Sequence, residues 1–503
     1  MSSTTSLTPH RAPDVLVVVM DCVRAREFPG GSAAVRMPFV ESLRSTSVVY
    51  PRAVSVAPWT LPSHASLFTG LYPWEHGCHG RSSLRLDPRH EPVAVALRRH
   101  GYRTASFSGN PIISPFYGLV EGFELSEWGE WWEQVRRTRA TPSYRYRASG
   151  GGSAPEAPVL SFRDRAGRAV KTMMTRYPAT LSLTDAAARR VVDPGRTGPA
   201  GMNPWIETDL ARWLSEQPAT DPTFVFVNTI DAHEPYLLDP ADAGSVSDWW
   251  RHMRIPQDVL ALLASETPPD PSDLELLLDL YRRSIARLDR RIARLVDLYR
   301  SAGRWENTVF VLTSDHGQAF GEHGMIWHGA RTDEEMLRIP MLARFPGGEL
   351  GGTAAVGWAT PMDVPATVFD VAGLSGESGH SGYSLRELAR APRPAPLYSA
   401  GDGTEWNRPF MAQLTPRRRA ELNRFSIAGY LGSVKVEVDA VTGAARVVDL
   451  GGDSGSGDRP ADGSPEIADL GAGARRAAQE LLHPSSAGVS DAVDDRLRSW
   501  GYG

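Results

Sequence analysis

The chain has 503 residues, of which 41% are hydrophobic and 22% charged, so it can form one large domain and a smaller one without disulfide or metal staples. A formal net charge of -5 and a pI of about 6.3 exclude the broad basic surface with which many proteins bind nucleic acid. An anionic substrate must therefore be held by a local cationic site.

Cysteine content and the amino-terminal sequence predict the compartment. The two cysteines, Cys22 and Cys78, are too few for a disulfide framework, which favours a reducing environment. The first residues lack a basic segment followed by an apolar stretch and a cleavage site. No apolar run approaches the roughly 18 residues that cross a membrane. We therefore expect a soluble, cytoplasmic protein without membrane insertion.

Three apolar, β-branched runs are the predicted strands of a main sheet, at residues 15–20, 223–228 and 308–313. Such runs are typical of strands that are buried on both faces of a parallel sheet. Asp21, Asp231 and Asp315 follow the three runs. Because ligands of open α/β sheets bind beyond the carboxyl ends of the strands, these aspartates indicate where the site lies.

Helical patterns fill the intervals, at residues 37–45, 92–100, 205–216 and 273–301. The last of them places apolar residues at helical spacing with arginines between them. Strands that alternate with helices predict an α/β fold with a doubly wound, mostly parallel sheet flanked by helices.

Changes in composition predict the domain organisation. Residues of about 138–203 are rich in Arg, Ser, Gly and Pro, and residues of about 239–270 contain several prolines, so both are predicted insertions. Beyond about residue 393 the pattern changes to short alternating strands. We predict a main domain over residues 14–392 and a small antiparallel α+β domain over residues 393–503.

The stretch APWTLPSHASLFTG at residues 57–70 contains the candidate nucleophile, Thr60. Pro62 can begin a helix, because its missing N–H would have no partner there. A hydroxyl at such an N-terminus is close to exposed backbone donors and to the positive end of the helix dipole, both of which favour an anion. The alternative is that Thr60 or Ser63 only caps the helix.

Candidate metal ligands follow two of the predicted strands. Asp315 and His316 are suitable ligands for Zn²⁺ or Mn²⁺ and less natural for Ca²⁺, which prefers oxygen ligands. Their alternative is a carboxylate that caps a loop beside a surface histidine. Asp21 ends the first strand. Its neighbour Cys22 is either a thiolate ligand or, as we expect, a small buried side chain.

Two further strand ends carry polar residues. Residues 228–236, NTIDAHEPY, contain Asp231 and His233, and residues 107–111, FSGNP, contain Asn110. Asn110 is either a donor to an oxyanion or a plain turn residue. His328 follows the Asp315 motif.

Together these motifs resemble the alkaline phosphatase and sulfatase superfamily, in consistent order over about residues 14–375. Residues 57–70 resemble the sulfatase signature, in which a Cys or Ser nucleophile precedes Pro, Ser and Arg. Here Thr60 stands at the nucleophile position and His64 at that of the arginine. The resemblance implies that residues 14–392 form the catalytic domain of a metal-dependent hydrolase.

The resemblance also implies roles for individual residues. It implies a divalent ion, Zn or Mn rather than Ca, held by Asp21, Thr60, Asp315 and His316. One ion is expected, and a second remains open, with Asp231, His233 and His328 as its ligands. His233 would contact the oxyanion and His328 would protonate the leaving group. The implied substrate-binding residues are His64, Asn110 and Asp231.

The identity of the nucleophile bears on the substrate. Sulfatases of this superfamily use a formylglycine made from Cys or Ser, and the methyl group of threonine would give a ketone instead. A threonine nucleophile resembles the phosphodiesterase branches, which favours phosphate mono- or diesters, or phosphonate esters, and a phospho-threonine intermediate. The alternatives are a sulfatase or a sulfuryl or phosphoryl transferase with the same site, and an inactive binding protein. The expected partner is a small-molecule phosphate or sulfate ester.

Overall fold

The computed structural model describes residues 11–129, 144–147, 205–234, 236, 265, 269–329, 331–374, 376–377, 379–402, 414–451, 457–459 and 464–482. The predicted insertion at 138–203 lies outside this part of the chain except for residues 144–147. The second, at 239–270, lies outside it except for residues 265 and 269–270.

The strands of the described residues form a main sheet, a second sheet and a small hairpin. They are β1 (Asp14–Met20), β2 (Val48–Val49), β3 (Arg103–Ser108), β4 (Leu125–Trp128), β5 (Tyr144–Arg147), β6 (Thr223–Thr229), β7 (Thr308–Thr313), β8 (Ala319–Phe320), β9 (Ile326–Trp327), β10 (Met341–Arg344), β11 (Leu397–Gly401), β12 (Ser426–Leu431), β13 (Val434–Asp439), β14 (Ala445–Asp449) and β15 (Gly457–Arg459).

The α-helices of the described residues include those predicted from the sequence, with ends that differ by a residue or two. They are α1 (Pro38–Leu43), α2 (Thr60–Thr69), α3 (Pro73–His76), α4 (Val93–Arg99), α5 (Trp205–Ser215), α6 (Pro271–Ser301), α7 (Glu334–Leu337), α8 (Val364–Val371), α9 (Leu385–Leu388), α10 (Pro416–Leu422) and α11 (Pro465–Leu482).

The main sheet has the strand order β2-β10-β7-β1-β6-β3-β4-β5. The three apolar runs form its centre, where β1 pairs in parallel with β6 and with β7. Strand β3 is parallel to β6 and to β4, whereas β10, β2 and β5 are antiparallel to their neighbours. The predicted α/β fold with a mostly parallel sheet is thereby confirmed, with antiparallel strands added at both edges.

Strand β1 is fully buried because helices cover both faces of the sheet. Val15, Val17 and Val19 point to one face and pack in a cluster with the apolar residues of α2. The alternate residues, among them Leu16 and Val18, point to the other face and pack in a cluster with α6. Full burial of each such side chain stabilises the fold by roughly 1.5–3 kcal/mol. The helices on both faces are those of a doubly wound sheet.

Helix α6 shows how the sequence pattern encodes the packing. Its apolar residues pack against the main sheet, and its charged residues are exposed or half-buried except for Asp289 and Arg291, which are buried. The side chain of Asp270 caps the helix by accepting a hydrogen bond from Ser272 N. Within the described part of the chain, no helix is both long and apolar enough to span a bilayer.

The carboxy-terminal region contains a separate antiparallel sheet, in the order β11-β12-β13-β14-β15. Helix α11 covers one face of it, in an apolar cluster that contains Ile427, Val436 and Leu470. The predicted small antiparallel α+β unit near the carboxyl terminus is therefore confirmed. Trp74 of α3 packs against this cluster, which links the second sheet to the segment that follows α2.

Candidate active site

The polar residues that follow the central strands lie together at the carboxyl edge of the main sheet. Asp21 directly follows β1, Asp315 lies just beyond β7, and Asn110 lies just beyond β3. Because these strands run in the same direction, their carboxyl ends share one edge, and α2 brings Thr60 to it. Hydrogen-bond or ion-pair distances connect Asp21, Thr60, Asn110, Asp315 and His316.

Thr60 is the first residue of α2 and is almost completely buried. Its Oγ1 lies 3.4 Å from His316 Nε2 and 3.5 Å from Asn110 Nδ2. The capping position is occupied by Trp59, whose side chain makes no cap hydrogen bond. Ser63 Oγ donates to the Asp315 carbonyl at 2.7 Å. Neither hydroxyl therefore serves as the helix cap, and that of Thr60 faces the cluster.

The segment before Thr60 is fixed by a residue of the second sheet. Trp59 Nε1 donates to Asp402 Oδ1 at 3.0 Å, and Gly80 N donates to Asp402 Oδ2 at 2.8 Å. Burial raises the pKa of Asp402 to about 6. Sequence reasoning missed Asp402 because it follows β11, far along the chain, and belongs to no motif.

Two buried carboxylates form the anionic part of the site. Asp21 Oδ2 accepts from Asn110 Nδ2 at 2.8 Å and from Asn228 Nδ2 at 3.4 Å. Asp315 Oδ1 accepts from the backbone N–H groups of Cys22 and His316. Burial raises the pKa of Asp315 to about 7, and burial with the nearby charge of Asp315 raises the pKa of Asp21.

His316 is oriented by its own backbone. Its Nδ1 lies 2.9 Å from the Gly317 carbonyl and donates to it, so Nε2 carries the lone pair. That Nε2 atom lies 3.3 Å from Asp315 Oδ2 and 3.8 Å from Asp21 Oδ1. The motif requires glycine at 317, since a Cβ there would lie 2.0 Å from the Glu335 carbonyl oxygen.

A divalent cation fits this donor set on chemical grounds. Asp315 Oδ2 is buried and accepts no hydrogen bond from any described residue, and the carboxylates face neutral side chains. A bound cation would offset the cost of burying both negative charges. Two carboxylates, an imidazole nitrogen and the hydroxyl of Thr60 suit Zn²⁺ or Mn²⁺ better than Ca²⁺.

Cys22 lies beside these ligands and is fully buried. Its thiol donates to Asp21 Oδ1 at 3.3 Å, and burial raises its pKa well above the usual value. Its sulfur forms one group of close ligand-type atoms with Asp21 and His316, and another with His233 and His328. The residue has a φ of 65°, a strained value for any residue with a side chain.

His233 and His328 contact each other edge-on beside Cys22, with ring centroids 5.1 Å apart and ring planes at 79°. His233 Nδ1 donates to the Glu234 carbonyl at 2.8 Å, and His328 Nδ1 lies 2.6 Å from Gln318 Oε1. The ring of His328 also lies 4.4 Å from that of His316, centroid to centroid. Both predicted catalytic histidines are therefore next to the cluster.

His64 lies behind the nucleophile. Its Nδ1 donates to the Thr60 carbonyl at 2.9 Å and lies 3.7 Å from Asp315 Oδ2, while its ring packs edge-on against Phe226. Burial lowers the pKa of His64 to about 3, so the ring is neutral. At the position of the signature's arginine it therefore supplies no positive charge. Its contribution to substrate binding stays a prediction.

Asp231 is held in an ion pair. Its Oδ2 accepts from Arg291 Nη1 of α6 at 2.6 Å, and both side chains are buried. The proposed role of Asp231 in substrate or metal binding stays a prediction, and the ion pair gives the carboxylate a structural partner.

Three polar residues of the site were not identified from the sequence. Asn228 donates to Asp21, and Gln318 donates to Glu234 Oε2 at 3.1 Å. Burial raises the pKa of Glu234 to about 7. Asn228 and Glu234 lie inside the stretch 228–236, and Gln318 lies two residues after His316. Their closeness in sequence to the candidate site residues was the signal that could have identified them.

Comparison with known proteins relates this site to known hydrolases. The family model described as Sulfatase matches residues 13–374. Arylsulfatase K of Rattus norvegicus is 22% identical over 407 residues, covering 75% of this chain and 63% of its own length. The ulvan-active sulfatase of Formosa agariphila is 24% identical over 393 residues, covering 76% and 66%. The chain thus spans slightly less than two thirds of these curated relatives.

Solved structures show the same fold. The phosphonate monoester hydrolase of Agrobacterium radiobacter superposes with a TM-score of 0.62 at 19% identity, covering 93% of this chain and 95% of the other. The residues matched by the family model include the candidate nucleophile and all the candidate ligands, and they make up most of the chain. The chain belongs to the Sulfatase family of hydrolases.

Proposed function

We propose that this chain is a metal-dependent esterase in which Thr60 Oγ1 attacks the sulfur or phosphorus atom of an anionic ester. The observation that carries the proposal is the convergence of Asn110 and His316 on the hydroxyl of Thr60, with two buried carboxylates beside His316, at the edge where α/β sheets bind ligands. Members of the Sulfatase family depend on a metal, and the donor set described above fits one.

Asp21, Thr60, Asp315 and His316 would hold the metal. When bound, a divalent cation lowers the pKa of a coordinated hydroxyl and offsets negative charge on the ester oxygens. The chain itself contributes the position of the nucleophile, since α2 holds Thr60 within reach of His316 and Asn110. Asn110 Nδ2 is a donor for an ester oxygen, and the N-terminus of α2 favours an anion beside it.

In the first step the deprotonated Thr60 oxygen bonds to sulfur or phosphorus, and the bond to the leaving oxygen breaks with its electron pair. Burial lowers the pKa of His328 well below its usual value, so the ring is neutral at rest, takes the proton that Thr60 loses and gives it to the leaving oxygen, which releases an alcohol. In the second step a water oxygen attacks the threonine ester and its proton passes to His328. The Thr60 oxygen then leaves with the electron pair and takes that proton back, which restores the starting state.

Sulfate esters are the substrate class that the relatives favour. Arylsulfatase K and the ulvan-active sulfatase carry that activity in their names, so the comparisons support a sulfatase better than the phosphoesterase that we inferred from the threonine. Both relatives are longer than their matched regions, and the identities are low, so the substrate stays part of the proposal.

Phosphate and phosphonate esters are the second candidate, and Thr60 itself favours them. A threonine cannot become the formylglycine aldehyde, and its hydroxyl forms a phospho-ester in the way expected of a direct nucleophile. The fold is shared with a phosphonate monoester hydrolase, which supports a site of suitable shape for such esters.

The deciding experiment assays the purified chain, loaded with Zn²⁺ or Mn²⁺, on paired nitrophenyl sulfate, phosphate and phenylphosphonate esters. Faster turnover of the sulfate supports the first class, and faster turnover of the phosphorus esters supports the second. Thr60→Ala should lose at least about a thousandfold in kcat for the preferred ester. Thr69→Ala, at the other end of α2, is the matched control and should retain activity.

Three outcomes would count against the proposal. Full activity of Thr60→Ala would remove the nucleophile from its role. Absence of bound metal together with no turnover of any ester would favour the inactive binding protein. Product that carries the sulfuryl or phosphoryl group on an added alcohol would show a transferase. The cytoplasmic location stays a prediction.

A further inference from the structure

The segment that leads into the nucleophile is bound both by the main domain and by the second sheet. Ser55 N donates to the carbonyl of Leu337, a residue of the main domain, at 2.8 Å. On the side of the second sheet, Ala400 N of β11 donates to the Val56 carbonyl at 2.8 Å. Ser399 Oγ of the same strand donates to the Ser55 carbonyl at 2.6 Å. Strand β11 therefore extends its hydrogen bonding onto the residues before the nucleophile.

Asp402 follows β11 and adds a contact to the residue directly before the nucleophile. Its two oxygens accept from different segments of the main domain, Oδ1 from Trp59 Nε1 at 3.0 Å and Oδ2 from Gly80 N at 2.8 Å. The side chains of Asp402 and Trp59 are both buried. An amide at this position would present its oxygen to one donor and its NH₂ group to the other. A carboxylate is therefore the side chain that can accept from both segments.

Trp59 receives little support from the hydrogen bonds of α2. It is the N-cap residue, its backbone is extended, and its side chain makes no cap hydrogen bond. Its carbonyl accepts from Ser63 N at 3.4 Å, which is long for an N–H···O bond. The next turn is held differently, because Ser63 Oγ donates to the Asp315 carbonyl at 2.7 Å. The first turn of α2 is thus anchored at Ser63, whereas the residue before it is anchored through its indole.

The position of Trp59 determines where the hydroxyl of Thr60 points, because the two residues share a peptide bond. Thr60 Oγ1 lies 3.4 Å from His316 Nε2 and 3.5 Å from Asn110 Nδ2. A rotation of that peptide would change both distances while His316 and Asn110, which belong to other segments, stay in place. A displacement of about 1 Å at a reacting atom can lower a rate by about 100-fold.

We propose that Asp402 is a positioning residue, which fixes the indole of Trp59 and thereby orients the Thr60 hydroxyl for attack on the ester. The inference rests on the proposed function. It gives the second sheet a part in the reaction, because the carboxylate that orients the nucleophile directly follows β11. This role requires neither contact between Asp402 and the ester nor a proton transfer.

The kinetic test compares two buried tryptophans that donate to the second sheet. Trp358 Nε1 donates to the Gly432 carbonyl, between β12 and β13, at 3.0 Å, as Trp59 Nε1 donates to Asp402. Trp59→Phe keeps an aromatic ring and removes the donor, so it should lower kcat for the preferred ester by about 10- to 100-fold, with KM within about threefold. Trp358→Phe is the matched control and should keep kcat within about threefold.

Thermal unfolding of the same preparations, at saturating metal, separates positioning from folding. Each variant loses one hydrogen bond between the main domain and the second sheet, so the two melting temperatures should fall by similar amounts. Only Trp59→Phe should lose kcat. Equal losses of kcat in the two variants, or no loss in either, would show that the contact is merely structural and would overturn the inference.

A double-mutant cycle tests whether Asp402 acts through Trp59. Asp402→Asn keeps the shape of the side chain but can accept from only one of its two donors, so it should lower kcat by about 5- to 50-fold with little change in KM. Combined with Trp59→Phe, it should lower kcat by no more than about threefold beyond the larger single effect. Single effects that multiply in the double variant would show independent roles and overturn the inference.

Failure of this inference is distinguishable from failure of the proposed function. If the wild type hydrolyses none of the paired esters, the proposed function fails and this inference fails with it. If the wild type is active and Thr60→Ala is inactive, while Trp59→Phe matches Trp358→Phe in kcat, the proposed function stands and only the role of Asp402 is wrong.

Discussion

Strand β1 begins with one buried aspartate, Asp14, and is followed by another, Asp21, and the two carboxylates have opposite surroundings. At the start of the strand, Asp14 Oδ1 lies 2.6 Å from Arg11 Nη2 and 3.1 Å from Arg304 Nη1, and it accepts from the hydroxyl and the backbone N of Thr223. Beyond the end, Asp21 meets the amide of Asn110. The charge is therefore paired with arginine at one end and with neutral donors at the other.

The difference indicates which end of β1 is stabilised within the fold and which end favours the binding of a cation. A buried carboxylate with charged partners costs little once folded, because the ion pair and its hydrogen bonds offset desolvation. A pair of buried carboxylates without a cation, such as Asp21 and Asp315, destabilises the fold until a cation binds. The amino end of β1 is therefore built for stability, and the carboxyl end for binding.

The largest effect on activity is expected from a substitution at the carboxyl edge of the main sheet. Asp315→Asn removes one candidate ligand and one buried charge, so we expect kcat/KM to fall by at least about a thousandfold, with loss of the bound metal. The melting temperature of the metal-free protein should stay level or rise, because less charge is buried. Metal analysis, kinetics and thermal unfolding of the same preparations check this. A large fall in the stability of the metal-free variant would contradict the comparison.

A substitution at the amino end of β1 should have the opposite effect, lowering stability and leaving activity unchanged. Asp14→Ala leaves the buried Arg304 without its carboxylate, so we expect the free energy of unfolding to fall by about 3 kcal/mol. Activity per folded molecule and metal content should not change, because the residue lies at the other end of the strand from Asp21. Denaturant unfolding measures the free energy, and kinetics with metal analysis measure the activity and the metal content. Weakened metal binding in this variant would contradict the distinction between the two ends of β1.

The pH dependence of the free energy of unfolding, measured on the metal-free protein, is a further test of the difference between the two ends of β1. Burial raises the pKa of Asp315 to about 7, whereas an unfolded aspartate titrates near 3.9. Between those values the folded protein binds a proton that the unfolded chain has released, so stability falls as the pH rises from about 4 to about 7. A loss of about 3 kcal/mol is expected across that range.

Denaturant unfolding of chelator-treated protein at several pH values tests this slope. Asp315→Asn should flatten it, and saturating Zn²⁺ should reverse it, since the metal displaces the proton. Asp402 and Glu234 also have raised pKa values and contribute to the slope in both proteins, so the difference between wild type and variant is the informative quantity. An identical slope in the two would show that Asp315 is already ionised in the metal-free fold.

The central strands and the motif residues were predictable because their signals are local. A β-branched run that is apolar on both faces predicts a buried parallel strand wherever it lies, and β1, β6 and β7 are such runs. The chain direction then brings their carboxyl ends to one edge. This is sufficient to predict that Asp21 and Asp315 are neighbours without knowledge of the side-chain contacts.

Contacts between distant segments had no comparable signal. The bond from Trp59 to Asp402 depends on how the second sheet packs against the main domain, which no spacing in the sequence records. The hydrogen bond from Gln318 to Glu234 likewise joins two stretches that are far apart in the sequence. Asp231 shows the same limit: its motif predicts a ligand, while its partner Arg291 lies in the middle of α6.

Asp231 gives the smallest expected effect and tests whether the comparison extends within a single motif. Its carboxylate is paired with arginine, like that of Asp14, although it belongs to the same stretch as the candidate catalytic residue His233. Asp231→Asn keeps an oxygen that accepts from Arg291 but removes the charge, so we expect a loss of about 1 kcal/mol in unfolding free energy and a change in kcat/KM below about threefold. Steady-state kinetics and denaturant unfolding measure the two. A hundredfold loss of activity at unchanged stability would return Asp231 to the substrate or metal site that its motif predicts, and it would show that pairing with arginine does not by itself mark a structural carboxylate.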